Sequence, residues 1–514
     1  MPSEADADRP TTGNLSLWME TSESPQQPVL PGDISVQAAV VGSGITGLTA
    51  ARLLVERGVS VAVIESRRVC SGVTGFTTAK VTALQSTIYS EIADRWGDEL
   101  AAAYAAANLE GLDLVRSRVD SDRIDCDLQT ESAYTYAESD KGLKRIEAEV
   151  DAARRAGLDV VFTTDTDLPY PVAGAVRLDG QARFHPRRYC LGLMKGILAA
   201  GGAVFERTRA VDLEAGSGTV ITDRGSITAD VIIVASHVPF VDVGLYPSRM
   251  MASRSYAIAF RPPGPPIQGM YIGVDDPIRS VRSTGDGYVV VGGEGHPSGR
   301  EKDTRKRYSA LETWASERLG ATNIAYRWSA QDYRSSDGLP FVGPLGSSGR
   351  VFVATGFAKW GMANGSIAGA MMADQAMGRE SRWAGLFDSK RLALKQAAPG
   401  LVGASAGMIK GLFERFRPSD LADVGTLSPG SGDIVSVGGR KAAAYRDRAG
   451  VVHAVSPTCT HLGCQVRFNT AESTWDCPCH GSRYDIEGRV IHGPAVHDLD
   501  RIEMGQPGSA DRGT

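Results

Sequence analysis

Residues 36–65 read VQAAVVGSGITGLTAARLLVERGVSVAVIE, and their order decides the fold. VQAAVV has the apolar content of a buried strand, GSGITG is a glycine turn, LTAARLLVERG carries helical periodicity, and VSVAVIE is a second strand. That order makes half of a doubly wound α/β domain. Gly42 permits the tight bend, Gly44 lets a pyrophosphate approach the backbone, and Gly47 lets helix and strand pack closely. The helix start, with Ile45 and Thr46, offers backbone amides and the positive end of a dipole to phosphate. Glu65 ends the second strand, placed for ribose hydroxyls, with Ser66 and Arg67 beside it. A carboxylate there repels a 2′-phosphate and argues against NADP. The motif alone leaves FAD and NAD open, with an incidental glycine turn as the bland alternative.

Working outward, 514 residues exceed what one core supports, so two or more domains are expected. A formal charge of −5 shows no bulk basic character, which argues against a nucleic-acid partner. Residues 1–32 are polar, acidic and proline-containing, without the pattern of a signal peptide. They read as a flexible arm whose Leu15, Leu17, Trp18 and Met19 are candidates for docking. No apolar run approaches the roughly 20 residues of a membrane span, and a cytoplasmic location is the default. The oxidoreductase module is expected over 33–395. Within it HPRRYCLGLMKGILAAGG predicts a helix with Pro186 in its first turn, and ADVIIVAS and RVFVATGF predict buried strands. A linker helix is expected over 396–420; its Ile409, Leu412, Phe413 and Phe416 beside Lys410, Arg415 and Arg417 also suit a membrane surface. Short strands and turns predict a small all-β domain over 421–506 and a flexible tail over 507–514.

Four of the seven cysteines crowd between 459 and 479, unlike a dispersed disulfide scaffold. Two boxes stand there, Cys459-Thr-His461-Leu-Gly-Cys464 and Cys477-Pro-Cys479-His480-Gly-Ser482. A [2Fe-2S] centre with two thiolates on one iron and two imidazoles on the other needs a Cys and a His from each of two loops, and the boxes supply that set. Short Cys/His spacings also suit tetrahedral zinc, although zinc requires neither six candidate ligands nor the Ser and Tyr that follow. Both boxes resemble those of the respiratory-type Rieske proteins. The resemblance implies that Cys459 and Cys477 hold one iron and His461 and His480 the other, with Cys464 and Cys479 in a disulfide. It also implies that Ser482 and Tyr484 donate hydroxyl hydrogen bonds to cluster sulfur, and that Gly493-Pro494 forms a covering loop. Such a ligand set places the potential within about −150 to +300 mV, and the hydroxyl donors favour the upper part.

Gly72-Val-Thr-Gly-Phe-Thr-Thr-Ala-Lys80, HPRRYCLGL, ADVIIVAS and DGLPFVG…VFVATGFAKWGM together resemble the D-amino-acid oxidase/dehydrogenase superfamily, glycine oxidase included. The resemblance spans about 36–380. It implies non-covalent FAD in a doubly wound domain interleaved with an α+β substrate domain. Thr74, Thr77 and Thr78 would lie along the pyrophosphate and flavin, Val211 at the adenine, and Gly356, Gly361 and Met362 at the isoalloxazine. The helix after Met362 would aim its positive end at the flavin, a field that stabilises the anionic reduced ring.

Members that oxidise amino acids place an arginine just before DGxP to clamp a carboxylate. Here that position is Asp332, with Arg327 and Arg334 out of step. The expectation is a substrate other than a simple α-amino acid, with a cationic group facing Asp332; a turn or salt-bridge role is the alternative. Lys80, His296 and Lys359 are further catalytic candidates, each with a structural alternative. The functional expectation is an amine or amino-acid-derivative dehydrogenase that passes electrons from FAD to the cluster and on to an external one-electron acceptor. A non-catalytic redox carrier or sensor, and flow from cluster to flavin, are the alternatives. Rieske oxygenation would need a separate iron site of two histidines and a carboxylate. With only eight histidines, two of them spent on the cluster, and no large domain following, it is set aside.

Overall fold

The computed structural model describes residues 15–241, 246–391, 423–437 and 439–503. The expected linker helix over 396–420, its membrane-surface alternative and the tail 507–514 lie outside the described residues. Among those described, no helix is long and apolar enough to cross a membrane. Two compact units are present: Met1–His296 with Lys306–Leu401, and Pro297–Arg305 with Val402–Thr514.

The first unit contains an eight-stranded sheet in the order Phe341–Pro344, Val351–Thr355, Gly225–Val234, Ile34–Val41, Val61–Ile64, Ala203–Phe205, extended by Thr219–Thr222 and Ala210–Glu214. Ile34–Val41 runs parallel to both of its neighbours. Its second half and all of Val61–Ile64 are buried, as strands covered on both faces must be. Helix Ile45–Glu56 follows the glycine turn, and helix Gly361–Ala376 crosses it closely. The crossing depends on Gly365 and Gly369: a Cβ on either would lie 2.6 Å from an oxygen of Thr46.

A second, nine-stranded sheet has the order Ile324–Ser335, Met250–Phe260, Val289–Pro297, Arg279–Ser283, Met270–Gly273, Gln129–Ala137, Gly174–Arg183, Lys80–Val81, with Val160–Thr163 on Gly174–Arg183. The chain alternates between the two sheets, giving an α/β cofactor domain interleaved with an α+β one. One irregularity shapes the site. Glu294 has φ +56°, so the alternation of Val289–Pro297 slips there. A Cβ on Gly292 would meet Thr78 and Ser280, and one on Gly295 would meet Lys359 and Ser255, so these glycines share one face. Glu294 and His296 are turned to the other.

The reading of 1–32 as a flexible arm needs correction over its described part. Leu17 and Trp18 are buried to 0% and 2% exposure, and a short helix, Leu17–Glu20, is capped by Ser16. Apolar side chains in a polar segment explain the outcome, because burying an indole and a leucine outweighs ordering a few residues.

The second unit is all-β. A three-stranded antiparallel sheet, Ser431–Val437, Arg440–Arg446 and Val452–Val455, accompanies a four-stranded one, Arg467–Asn469, Thr474–Asp476, Arg483–Tyr484 and Val490–His492. Trp475, Tyr484 and Val466 fill its core. Pro297–Arg305, from between a strand and a helix of the first unit, is part of this unit. Thr304 Oγ1 donates to Asn469 Oδ1 (2.6 Å) and accepts from the Ala471 amide (2.8 Å). Gly299, at φ +65°, leaves no room for a Cβ, which would lie 2.7 Å from the Pro478 nitrogen.

Candidate functional site

The nucleotide cradle forms where the parallel strands end, at the reversal of strand order. Gly42 has φ +106°, and a Cβ there would lie 2.5 Å from the Ala235 carbonyl oxygen. A Cβ on Gly47 would overlap the Gly42 carbonyl oxygen itself. Gly44 is the helix N-cap in extended conformation, followed by Ile45 and Thr46. Glu65 Oε2 accepts from the Ser43 amide (3.2 Å) and hydroxyl (2.8 Å), and Oε1 from the Arg67 amide (3.1 Å) and the Ser66 hydroxyl (3.2 Å). The carboxylate is thus held at the strand end. Thr74 Oγ1 accepts from the Ile45 amide at 3.2 Å, joining the turn Val73–Phe76 to the helix start. Val211 falls at a bulge between Ala210 and Asp212, where the strand ladder skips it. Gly356, at φ +79°, ends Val351–Thr355, and Gly361 and Met362 open the helix that crosses Ile45–Glu56.

The catalytic candidates divide by face. The face lined by Gly292 and Gly295 carries Thr78, Ser255, Ser280 and the Lys359 amine. Lys80 joins it, donating from Nζ to Ser280 Oγ (2.5 Å) and the Tyr271 carbonyl (2.7 Å). Burial, aided by the Arg282 charge, lowers its pKa to about 7. Lys359 is solvent-accessible yet closely surrounded; desolvation lowers its pKa, the Arg334 charge acts in the same sense, and Asp332 opposes both. His296 is on the opposite face, its Nε2 hydrogen-bonded to Tyr256 Oη at 2.9 Å and its ring stacked on that tyrosine. The slip at Glu294 puts it there, and its contacts with Tyr256 suit the structural alternative for His296.

Asp332 is also reassigned. Its carboxylate accepts from the Tyr333 amide (2.7 Å) and the Lys359 amide, and pairs with His237 Nε2 (2.7 Å). It braces the turns after two parallel strands, and both of its oxygens are already hydrogen-bonded. The salt-bridge alternative therefore fits better than a substrate-facing anion. Sequence reasoning missed His237 and Ser255, which carry no local signal; the glycine run 292–295 was the available pointer to a close backbone approach.

The protonation of Lys80 has a measurable consequence. A lysine depressed to about 7 when folded releases its proton on folding between pH 7 and its ordinary value of 10.5, so its contribution to stability rises with pH across that window. Below pH 7 the cost of the buried cation is constant. A Lys80→Met variant is therefore expected to gain most over wild type at pH 6, with the gap narrowing by about 3 kcal/mol by pH 9. Thermal melts at both pH values check this; a gap independent of pH would contradict it.

In the second unit both boxes sit on turns, with Cys459 and Cys477 buried. Interaction between the two thiols lowers Cys459 to about 6 and raises Cys477. Tyr484 Oη lies 3.2 Å from Cys459 Sγ, and Ser482 Oγ accepts from the Ala495 amide at 3.2 Å. His461 and His480 face each other edge-on, ring centroids 5.0 Å apart; His461 is half-buried and His480 buried. Of the two imidazoles, His461 is the more accessible. Cys464 and Cys479 are disulfide-bonded. Three sulfurs, of Cys464, Cys477 and Cys479, lie within 4.8 Å of one another, but the disulfide removes two of them as thiolate donors. The remaining set, Cys459, His461, Cys477 and His480, suits a mixed thiolate–imidazole cluster. Gly493, at φ +105°, packs so tightly on Ser482 that a Cβ would lie 2.5 Å from its Cα.

A family model described as FAD dependent oxidoreductase matches residues 37–375, and one described as Rieske [2Fe-2S] domain matches 418–503. The Bacillus subtilis (strain 168) protein YhfW, whose name describes a Rieske 2Fe-2S iron-sulfur protein, is 35% identical over 496 residues, covering 95% of this chain and 97% of that protein. Gamma-glutamylputrescine oxidoreductase of Escherichia coli (strain K12) is 24% identical over 401 residues, 72% of this chain and 91% of that protein. The crystal structure of glycine oxidase from Geobacillus kaustophilus superposes with a TM-score of 0.61 at 18% identity, over 70% of this chain and 99% of that one. Cradle, cluster ligands and matches agree: this chain belongs to the FAD dependent oxidoreductase family and carries a Rieske [2Fe-2S] domain downstream of its flavin module.

Proposed function

We propose that the protein is a cytoplasmic amine or amino-acid-derivative dehydrogenase whose electrons leave the flavin through the Rieske cluster to an external one-electron acceptor. The observation that carries this reading is the presence, in one chain, of a complete dinucleotide cradle and a complete Rieske ligand set. The relatives named glycine oxidase and gamma-glutamylputrescine oxidoreductase support an amine as substrate class. When bound, FAD accepts a hydride from the carbon of a C–N bond, and the cluster carries electrons singly.

The chain's own residues prepare the substrate. An ammonium must lose its proton before its neighbouring carbon can give up a hydride. Lys80, with a pKa of about 7, is matched to take that proton near neutral pH. Ser255 and Lys359 on the same face supply donors that orient the substrate's polar groups. His461 is the more accessible imidazole and the natural exit for electrons. Anaerobic titration with an amine panel, following flavin and cluster absorbance separately, tests the reading. Flavin bleaching followed by cluster reduction is expected. Bleaching with the cluster left oxidised would refute the relay, and reduction of the flavin by a pre-reduced cluster without any amine effect would reverse its direction.

A further inference from the structure

We infer that residues 16–30, which precede the family match beginning at 37, are a strap that holds the flavin-contacting loop 72–79 in place and so sets FAD affinity. Four successive carbonyls of that loop each receive a side-chain donor. Ser16 Oγ donates to Gly75 (2.5 Å), Trp328 Nε1 to Phe76 (2.9 Å), Trp18 Nε1 to Thr77 (2.7 Å) and Arg282 Nε to Thr78 (2.5 Å). Two of the four come from the strap. The Arg282 guanidinium also lies over the Trp18 ring, 4.9 Å from its centroid, so strap and sheet brace each other. His185 also packs edge-on against Trp18, and Met19 Sδ would lie 3.1 Å from a Cβ on Gly75.

The strap continues to the other end of the cradle. The Ser24 carbonyl accepts from Arg68 Nη2 (2.8 Å), the Gln27 amide donates to Glu206 (3.1 Å), and the Leu30 amide donates to Thr208 Oγ1 (3.0 Å). Glu206 is fully buried and also accepts from the Val69 amide at 2.7 Å, while the Thr208 amide donates to the Glu65 carbonyl. One segment thus ties the loop assigned to the flavin and the strand end assigned to the ribose. In each peptide plane the N–H points opposite to its carbonyl, so anchoring carbonyls 75–77 fixes the directions of the amides of Phe76, Thr77 and Thr78. A loop fixed in advance loses less entropy when ligand binds, and that difference appears as affinity.

The test uses the full-length protein stripped of flavin and retitrated with FAD, together with the flavin midpoint potential, melting of the apoprotein and cluster absorbance. Trp18→Phe keeps the ring packing and removes the indole donor, leaving the Thr77 carbonyl without it. It is expected to raise the FAD dissociation constant about tenfold, and Ser16→Ala about fivefold, with the cluster content unchanged. Glu23→Ala, an exposed strap position, is expected to change neither. Wild-type FAD affinity and potential in both Trp18→Phe and Ser16→Ala would overturn the inference. Parallel loss of apoprotein stability and cluster content would also overturn it, by showing a general folding role in place of a flavin-directed one.

Discussion

A Cys477→Ser protein is expected to purify with its FAD but with iron and acid-labile sulfide close to zero. Cys477 is buried, in a turn closed by the hydrogen bond from its amide to the Ser482 carbonyl (2.7 Å). Serine fits the space, so the polypeptide has no steric reason to unfold. It does not supply a soft thiolate, and iron–sulfur clusters depend on thiolate donors. Altering a mere outer-shell partner of a metal site costs about 10–100-fold in affinity, so losing one of four ligands should exceed about a hundredfold. If the relay operates, substrate should still bleach the flavin, while reduction of a one-electron acceptor collapses. Iron and sulfide analysis with stopped-flow flavin spectra would check both halves. A variant that keeps a full cluster would remove Cys477 from the ligand set.

Gly47→Ala should abolish flavin retention. The added Cβ would overlap the backbone oxygen of Gly42 and lie 3.2 Å from Val40 Cγ1. Neither the oxygen nor the strand behind it can move by a rotamer change, so the helix Ile45–Glu56 has to shift off the sheet. The cost is about 2–4 kcal/mol, and the displaced amides also abandon the phosphates, weakening FAD by about a hundredfold or more. Gly44→Ala is the informative comparison. There φ is −77° and the nearest atom is the Thr74 hydroxyl at 3.2 Å, so only a side chain must give. Flavin content per chain and apoprotein melting temperature separate the two. Equal behaviour would mean that helix–strand contact is not what Gly47 protects.

What could be read in advance was local. The turn from Gly42 to Gly47 and the boxes at 459–464 and 477–482 carry their chemistry within a few residues, and the α/β module with its small β domain followed from them. The nine-stranded sheet was illegible as a sheet because its pairings join distant segments, such as Lys80–Val81 with Gly174–Arg183. Asp332 was read by its place before DGLP, yet its role is decided by His237 and the Lys359 amide, both remote in sequence. The face to which His296 turns is set by a single left-handed residue, Glu294, which re-phases the strand and carries no sequence signal. Trp18 sits in an acidic, proline-bearing stretch whose composition hides how deeply the indole is buried.

The contribution of Thr304 to the hairpin around Asn469 makes the iron–sulfur module discontinuous in the gene. A polypeptide starting after Leu401 would contain every ligand yet omit Thr304, the hydroxyl to which the Asn469 side chain and the Ala471 amide are tied, and Gly299, the backbone laid against Pro478. Such a fragment would leave those groups to water and the Pro478 turn uncovered. Grafting this module onto another enzyme by end-to-end splicing would therefore transfer its ligands without part of its fold.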